Sequence, residues 1–406
     1  MKFLHIADAH LDSPFKGLSY LPKQLWQSVY DSTYLAFETA VDQAIAEQVD
    51  FVLVVGDTFD GPHPSLHAQK FVADQFERLN QVDITVFLTF GNHDYYQAEN
   101  YAFDYSDNVV VFKSGMQRKS LVTKSGLAVD IVGFSYTQNH ITQNIVHDFP
   151  ERLPGHYTIG MIHGSPATSD ANQDHYAPFE LSDLTKQNYN YYALGHIHKR
   201  EVLRKSPLIV YSGNLQGRHI NEPGQKGCYL VSVDEQTFAS ELQFIETSQI
   251  VFSQLKLSLT EETGLQSLQK QIEQALSTLD VKQMKMIKLV IQNSQLLSLN
   301  AKEVLNQTNF LDQISQKTDY DSILYDVEFE VNHKIQLTAL DETYFEEAIA
   351  DLVNQGVVSD KLRPLLKKYL PVEQLLNQPD DLVDQLRQLV QLELNEAVTR
   401  GEERED

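Results

Sequence analysis

Aspartate, asparagine and histidine residues recur in this sequence directly after short apolar runs. Asp57 follows the run FVLVV, and Asn92 follows the run ITVFLTF, in each case after a single glycine. Carboxylate, amide and imidazole groups are ligands that Mn²⁺, Fe²⁺ and Zn²⁺ accept, and the absence of cysteine among them argues against a structural zinc site. The candidate ligands are Asp8, His10, Asp57, Asn92, His163, His196 and His198.

This set has too many members for a single ion that keeps open positions for a substrate. It suits two ions that share a bridging carboxylate and lie roughly 3.5–4 Å apart. Two such ions clamp a phosphoryl group and activate a water molecule for in-line attack on phosphorus. The residue types therefore predict hydrolysis of a phosphoester. The histidines expected to have only surface or core roles are His5, His140, His147, His156 and His175.

The apolar runs that precede the candidate ligands predict buried strands, because β-branched and aromatic side chains dominate them. Apolar residues at helical spacing predict helices over 22–48 and 65–81. Beyond the Asn92 block, short strands without long helices are expected at 109–112, 127–134, 157–162, 191–194, 208–211, 228–233 and 241–246. This order fits a layered α/β/β/α sandwich with mixed sheets better than one all-parallel sheet.

The length of 406 residues predicts two or three domains. Residues 1–247 form the strand-rich part that carries the candidate ligands. From residue 250 the pattern changes to strands at 251–260, 284–294 and 323–331 with a helix over 261–278, which predicts a small α/β domain across 250–335. A helical segment is expected over 341–406, and residues 382–398 within it form an apolar stripe that suits either partner docking or a local core.

The composition is that of an ordinary globular protein, with 42% hydrophobic and 22% charged residues. Cys228 is the only cysteine, so no disulfide within the chain is possible, which fits a reducing compartment. No apolar run approaches the roughly 20 residues of a membrane helix, and no targeting pattern opens the chain. We therefore expect a soluble cytoplasmic protein without a membrane anchor.

The net charge of −24 bears on the substrate. An acidic chain disfavours nucleic acid, because phosphate binding depends on Lys and Arg. Part of the charge is concentrated, since residues 336–406 contain 16 Asp and Glu against 7 Lys and Arg, a net charge of −9. Two divalent cations would add four positive charges at the place that a phosphate approaches. The net charge therefore weakens a nucleic-acid interpretation without excluding it.

The blocks at the strand ends resemble those of the calcineurin-like metallophosphoesterases. They are Asp8-x-His10, Gly56-Asp57, Gly91-Asn92-His93-Asp94, Ile162-His163 and Gly195-His196-Ile197-His198. The later block YSGNLQGRHINEPGQKGCYLV is similar to the SbcD-type DNA repair nucleases, and within that family the bacterial YhaO proteins are most similar. The resemblance implies a four-layer α/β/β/α sandwich with a small α/β capping domain and a helical C-terminus. It also implies a homodimer and an SMC-like coiled-coil ATPase as partner.

The resemblance further implies roles for individual residues. The resemblance implies Mn²⁺ as the metal, with one ion held by Asp8, His10, Asp57 and His198. The second would be held by Asp57, Asn92, His163 and His196, with Asp57 as the bridge. His93 would bind no metal and would protonate the leaving oxygen.

Other polar residues are candidates for substrate contact. Asp60 stands where archaeal and eukaryotic members of the family have a histidine, and Arg218 and His219 lie in a turn suited to backbone phosphate. His63 and His67 fit a solvated loop and helix start better than substrate contact. Tyr95 and Tyr96 are expected to pack the loop that carries His93 and not to stack on a base.

Three functional hypotheses follow. The first is a manganese-dependent DNA exonuclease or endonuclease that acts in DNA repair with its ATPase partner. The alternative is a metallophosphatase or phosphodiesterase on a phosphoester other than DNA. The acidic charge and the breadth of the superfamily keep this alternative open, whereas the block at 211–231 and the capping domain count against it. The third is an inactive scaffold, which the complete set of candidate ligands disfavours.

Overall fold

The structure is a computed structural model that describes residues 1–330 except 16–17, 19–20, 98–99, 168–175, 280–281, 306–307 and 319–320. The expected helical segment 341–406 with its apolar stripe at 382–398 lies outside the described residues, as does His175. The described residues fall into two compact units. One is Met1–Ser253 with Val281–Met286, and the other contains the remaining described residues from Gln254 onward. Within the described part, no helix has the length and apolar character needed to cross a membrane.

The first unit contains two six-stranded sheets. The strands of the first sheet are β1 (Lys2–Ile6), β2 (Phe51–Val55), β3 (Thr85–Thr89), β4 (Val109–Val111), β11 (Gly227–Val233) and β12 (Ser240–Glu246). Their order across the sheet is β12-β11-β1-β2-β3-β4. The strands β1 to β4 are parallel, and β11 and β12 extend the sheet in antiparallel fashion. The carboxyl ends of β1, β2 and β3 therefore lie side by side at the same end of the strands in this sheet.

The second sheet also has six strands, but it has an antiparallel strand at each edge. Its strands are β5 (Gln117–Val122), β6 (Ala128–Gly133), β7 (Tyr157–His163), β8 (Tyr191–Gly195), β9 (Glu201–Lys205) and β10 (Leu208–Tyr211). Their order is β5-β6-β7-β8-β10-β9, in which the four inner strands are parallel and both edge strands are antiparallel. Both faces of the inner strands are covered, which is why β7 and β8 read as continuous apolar runs.

Three hydrophobic clusters define the layers of this unit. Helices α1 (Lys23–Ala46) and α2 (Leu66–Asn80) place Phe37 and Phe76 in one cluster with the outer face of the first sheet. A second cluster lies between the sheets and joins Phe51 to Ile159. A third joins Leu184 of α3 (Leu181–Gln187) to the outer face of the second sheet. The predicted four-layer α/β/β/α sandwich is confirmed, with a thin fourth layer because α3 has only 7 residues.

Most elements of the first unit agree with the sequence-based prediction. The helices expected over 22–48 and 65–81 are α1 and α2, and the Ser65 hydroxyl caps α2 by accepting a hydrogen bond from the Ala68 amide. The strands β5 and β9 and the helix α3 were not predicted. The two strands, QRKSLV and EVLRK, are edge strands, and charged side chains on an edge replace the apolar pattern that identifies a buried strand.

The second unit is a small α/β arrangement. A three-stranded sheet has the order β13-β14-β15, and its strands are β13 (Ile250–Ser258), β14 (Met284–Gln292) and β15 (Ser322–Glu330). The first residues of β13 and β14, up to Ser253 and Met286, are counted with the first unit. The accompanying helices are α4 (Leu265–Ser277), α5 (Leu299–Leu305) and α6 (Thr308–Gln316). Leu268, Ile272 and Ile287 belong to its hydrophobic core. The sequence indicated the three strands and α4, but not α5 and α6.

Candidate metal centre

One group of polar atoms converges where β2, β3, β7 and β8 end. Asn92 Oδ1 lies 3.0 Å from His163 Nε2 and 3.1 Å from His196 Nδ1. Asp57 Oδ2 lies 3.2 Å from the same His163 Nε2. Four chain segments thus bring an amide oxygen, a carboxylate oxygen and two imidazole nitrogens together, which is a donor set that suits a divalent transition metal.

A second group lies beside the first and shares one of its atoms. His10 Nε2 is 3.0 Å from His198 Nε2, and Asp8 Oδ1 is 3.9 Å from His198 Nε2. Asp57 Oδ2 is 3.7 Å from His10 Nε2. The structure therefore brings all seven predicted ligands together, and it places one Asp57 oxygen between the two groups.

The close contact between His10 Nε2 and His198 Nε2 indicates what the two donor groups bind. His10 Nδ1 lies 3.1 Å from Asp60 Oδ1, and His198 Nδ1 lies 2.6 Å from Glu222 Oε1. Although burial opposes it, the hydrogen bonds from these histidines hold the pKa of Asp60 and of Glu222 below the usual range, so both carboxylates accept. Each Nδ1 therefore donates, and the Nε2 atoms point lone pairs towards the shared space.

Charge at the centre favours a cation as well. Burial, followed by the nearby Arg218, lowers the pKa of His10 to about 3, so this imidazole is neutral at pH 7 and can donate its lone pair. Burial works against a charge on His163, but the Asp57 carboxylate outweighs it and raises the pKa of His163 to about 9. The contacts among these electron-pair donors become favourable when a proton or a metal ion lies between them. The donor set fits a pair of divalent ions.

The ligand loops are held in unusual backbone conformations. Asp8, His10 and Asp57 have φ angles of 50°, 47° and 47°, in the left-handed region that residues with a side chain rarely adopt. A Cβ added to Gly91 would lie 2.2 Å from Asp57 Oδ1 and 2.7 Å from His163 Nε2. Strain and close approach of this kind accumulate at functional sites, where the surrounding structure enforces them.

Asp94 holds two of these loops in place, a role that the sequence analysis did not assign. Its buried carboxylate accepts hydrogen bonds from the Gly91 amide at 2.7 Å and from the Thr58 amide at 2.8 Å. It also accepts longer bonds from the amides of Asp57 and Phe59. Burial, followed by the charge of Asp57, raises the pKa of Asp94 to about 7. The only signal in the sequence was its place in the Gly91-to-Asp94 block.

His93 occupies the open side of the centre. Its ring is exposed, its Nδ1 lies 3.0 Å from the Asp60 carbonyl oxygen, and its amide donates to Asp57 Oδ1 at 2.9 Å. The carbonyl oxygen can only accept, so Nδ1 carries the hydrogen and Nε2 is left for a substrate. This position suits an imidazole that meets a leaving group, and the catalytic role of His93 stays a prediction.

The predicted substrate residues lie behind the ligands. Arg218 pairs with Asp60, which in turn bonds His10, so both residues support a candidate ligand. His219 is exposed, and its Nε2 lies 3.3 Å from a Glu222 oxygen. Asp60 and Arg218 therefore support a candidate ligand. Contact of Asp60, Arg218 and His219 with a substrate stays a prediction.

The remaining histidines and aromatic residues lie apart from this centre. Buried His5 bonds the Tyr191 hydroxyl at 3.0 Å, and His156 lies 3.1 Å from Asp130. The rings of His63 and His67 are exposed. Tyr96 packs 5.2 Å from Phe90, and Tyr95 packs against the core of the second sheet, as expected for residues that support a loop. His147 lies 3.4 Å from Asp183 on the surface.

Comparisons with known proteins agree with this geometry. The family model for calcineurin-like phosphoesterases matches residues 1–200. A Bacillus subtilis protein described as the uncharacterized metallophosphoesterase YhaO is 37% identical over 297 residues, which cover 72% of this chain and 72% of that protein. This chain belongs to the calcineurin-like metallophosphoesterase family. The predicted family is therefore confirmed.

The names of some more distant relatives state a function. The DNA double-strand break repair protein Mre11 of Methanocaldococcus jannaschii is 27% identical over 245 residues, or 57% of this chain and 62% of that protein. The protein of the same name from Thermoplasma acidophilum is 26% identical and covers 54% of this chain and 57% of its own. Among solved structures, a dimetal phosphatase from Danio rerio covers 61% of this chain and 98% of its own at 11% identity, with a TM-score of 0.37. The family assignment rests on the sequence matches.

Glu222 is a further residue that the sequence analysis did not select. Its buried carboxylate accepts hydrogen bonds from His198 Nδ1 at 2.6 Å, Asn214 Nδ2 at 2.9 Å and the Arg218 amide at 2.8 Å. A carboxylate behind a ligand histidine fixes its tautomer and orientation and increases its basicity. In this metallophosphoesterase, Glu222 therefore orients His198. The sequence feature that could have identified Glu222 is the block at 211–231, which contains it.

We expect Glu222→Ala to weaken divalent-metal binding at the site that includes His198 by roughly 10- to 100-fold, because the imidazole loses the acceptor that orients it. Isothermal titration with Mn²⁺ measures the change. Glu222→Gln retains an acceptor oxygen and should restore much of the affinity. Glu201→Ala on the exposed strand β9 is the matched control and should bind as the wild type does. Unchanged Mn²⁺ affinity in Glu222→Ala would contradict the assignment.

Proposed function

We propose that this metallophosphoesterase is a two-metal-dependent DNA phosphodiesterase, an exonuclease or endonuclease of DNA repair that acts in the cytoplasm. The observation that carries the proposal is Asp57 Oδ2, which lies 3.2 Å from His163 Nε2 in one donor group and 3.7 Å from His10 Nε2 in the other. A carboxylate shared by two donor groups is what a two-metal phosphoesterase requires. The DNA substrate is supported by similarity to the Mre11 repair proteins.

The ions we propose are Mn²⁺, one at the donors of Asp8, His10, Asp57 and His198 and the other at those of Asp57, Asn92, His163 and His196. When bound, such a pair neutralises the phosphate, orients it and activates water for in-line displacement. Asp60 and Glu222 keep His10 and His198 in the tautomer that presents Nε2. His93, on the exposed side, delivers a proton to the departing oxygen.

The substrate class is tested by comparing four substrates with and without Mn²⁺. These are linear and hairpin DNA, the diester bis-p-nitrophenyl phosphate and the monoester p-nitrophenyl phosphate. A DNA nuclease cleaves DNA and the diester only with the metal. Hydrolysis of the monoester with no cleavage of DNA would instead support the alternative, a metallophosphatase on a phosphoester other than DNA.

We also propose a homodimer and an SMC-like coiled-coil ATPase partner. The net charge of −24 makes the isolated chain a poor DNA binder through long-range repulsion, so efficient cleavage of long DNA calls for a partner. The apolar stripe at 382–398 is the segment that we assign to docking, on the sequence pattern alone.

Deletion of 379–406 is expected to abolish complex formation and with it efficient cleavage of long DNA. Metal binding and hydrolysis of bis-p-nitrophenyl phosphate should be unchanged, because every candidate ligand lies before residue 200. Size-exclusion chromatography with the co-expressed ATPase and a DNA cleavage assay measure the two effects. Nanomolar binding of duplex DNA by the isolated chain in physiological salt, unaffected by the deletion, would contradict the dependence on a partner.

A further inference from the structure

A second concave site lies at the other end of the second sheet from the candidate metal centre. It is a cavity of about 670 Å³ whose lining includes Asn190, just before β8, and Leu208, at the start of β10. His196, a candidate ligand, directly follows the other end of β8. At about 3.3 Å per residue, the ends of this five-residue strand are roughly 15 Å apart. A phosphate held at the metal centre does not reach the cavity, so the two sites are separate.

The charge of the cavity is opposite to that of the chain. Arg152, Arg204 and Lys205 all line it, and no aspartate or glutamate is among the described residues of its lining. The whole chain has 56 acidic against 32 basic residues, so three cations without an acid in one lining stand out from the composition. Within the described part of the chain, none of the three forms an ion pair. Their charges are therefore available to an anion.

The two arginines are held in position before any ligand arrives. Arg152 donates from Nε and Nη2 to the His156 carbonyl oxygen, at 3.3 Å and 3.2 Å, and its guanidinium lies 5.6 Å from the centre of the Phe238 ring. Arg204 donates from Nε to the Ser206 carbonyl oxygen at 2.7 Å. A guanidinium has five N–H groups, so both arginines keep further donors for a ligand. Fixing them in advance lowers the entropy that binding costs.

Asp234 lies three residues before Thr237 of the lining, and its carboxylate is committed elsewhere. Asp234 Oδ1 accepts hydrogen bonds from the amides of Gln236 and Thr237, at 3.0 Å and 2.8 Å, and from the Thr237 hydroxyl at 2.9 Å. These bonds close the turn before β12. Asp234 therefore stabilises the chain segment that carries Phe238 and does not neutralise the arginines.

We propose that this cavity binds a small phosphate-bearing molecule of about the size of a mononucleotide. Its volume falls within the roughly 300–1,000 Å³ of small-molecule sites. Guanidinium groups match the geometry of phosphate oxygens, and three cations compensate a phosphate dianion. A duplex would require an extended basic surface, whereas these cations share one cavity on an acidic chain. The site goes beyond the proposed function and does not depend on DNA as the substrate.

The proposal is tested by isothermal titration of the full chain with adenosine monophosphate and with inorganic phosphate, and with adenosine as the uncharged control. The titrations are made in EDTA, so that no metal holds the phosphate, and are repeated on the Mn²⁺-loaded protein. The test variant is Arg204→Gln/Lys205→Gln, because both side chains are exposed and neither belongs to a hydrophobic cluster of the described residues. Lys113→Gln/Lys124→Gln removes the same charge at exposed positions outside the cavity and is the matched control.

We expect adenosine monophosphate to bind in both conditions and adenosine not to bind. The test variant should weaken binding roughly 10- to 100-fold, since charged hydrogen bonds are lost, while the control variant binds as the wild type does. Hydrolysis of bis-p-nitrophenyl phosphate without nucleotide should be the same in all three proteins. Binding that requires Mn²⁺ and is equal in both variants would place the phosphate at the metal centre and overturn the proposal. No binding of either phosphate probe, or loss of duplex DNA binding alone in the test variant, would also overturn it.

Discussion

Replacement of Asp57 by alanine is expected to remove both metal ions and to lower hydrolysis by about 10³-fold or more. The reason is the position of one atom, Asp57 Oδ2, within 3.2 Å of His163 Nε2 and 3.7 Å of His10 Nε2. In the proposed assignment, Asp57 is the ligand that the two ions share. Asp57 Oδ1 also accepts a hydrogen bond from the His93 amide. Removal of the Asp57 carboxylate therefore releases the loop that carries the proposed proton donor.

Metal content per chain and turnover of bis-p-nitrophenyl phosphate, measured on the same Mn²⁺-loaded sample, test this expectation. The wild type should contain two ions and the variant fewer than one. Asp104→Ala changes an exposed aspartate outside the site and is the matched control. Circular dichroism confirms that the variant is folded. Two ions retained in Asp57→Ala, or one or none in the wild type, would show that Asp57 does not bridge a metal pair.

The second large effect is expected for His93→Ala, which should keep both ions and lose about 10²-fold or more in turnover, the range for a missing general acid. His93 is exposed, and its Nδ1 is engaged by the Asp60 carbonyl oxygen, so only Nε2 faces a substrate. Its ring centre lies 4.9 Å from that of His10, which places it beside the ligands.

The leaving group distinguishes proton donation from other roles. Cleavage of DNA expels a sugar alkoxide, which requires a proton. Cleavage of bis-p-nitrophenyl phosphate expels a phenolate, which departs without one. The loss in His93→Ala should therefore be larger on DNA than on bis-p-nitrophenyl phosphate. His67→Ala, at another exposed histidine, is the control and should have no effect on either substrate. Metal loss in proportion to the loss of activity would show that His93 is a ligand and not an acid.

Much of the fold was predictable because its signals are local. The apolar runs of β1, β2, β3, β7 and β8 are buried on both faces, and a strand of this kind is recognisable from a few consecutive residues. The edge strands β5 and β9 were missed because an exposed edge imposes no apolar pattern. The short helices α3, α5 and α6 have 7 to 9 residues, too few turns for a helical period to stand out.

What the sequence by itself determined is the set of seven candidate ligands, because each stands within a few residues of the end of a strand that can be recognised locally. Only the tertiary structure decided which groups support them. The contacts of His10 with Asp60, of His198 with Glu222 and of Thr58 with Asp94 span 50, 24 and 36 residues. No periodicity encodes such pairs, since they arise where two sheets and their loops pack together. The basic cavity could not be predicted from the sequence either, because Arg152, which precedes β7, meets Arg204 and Lys205 of β9 only when the second sheet assembles.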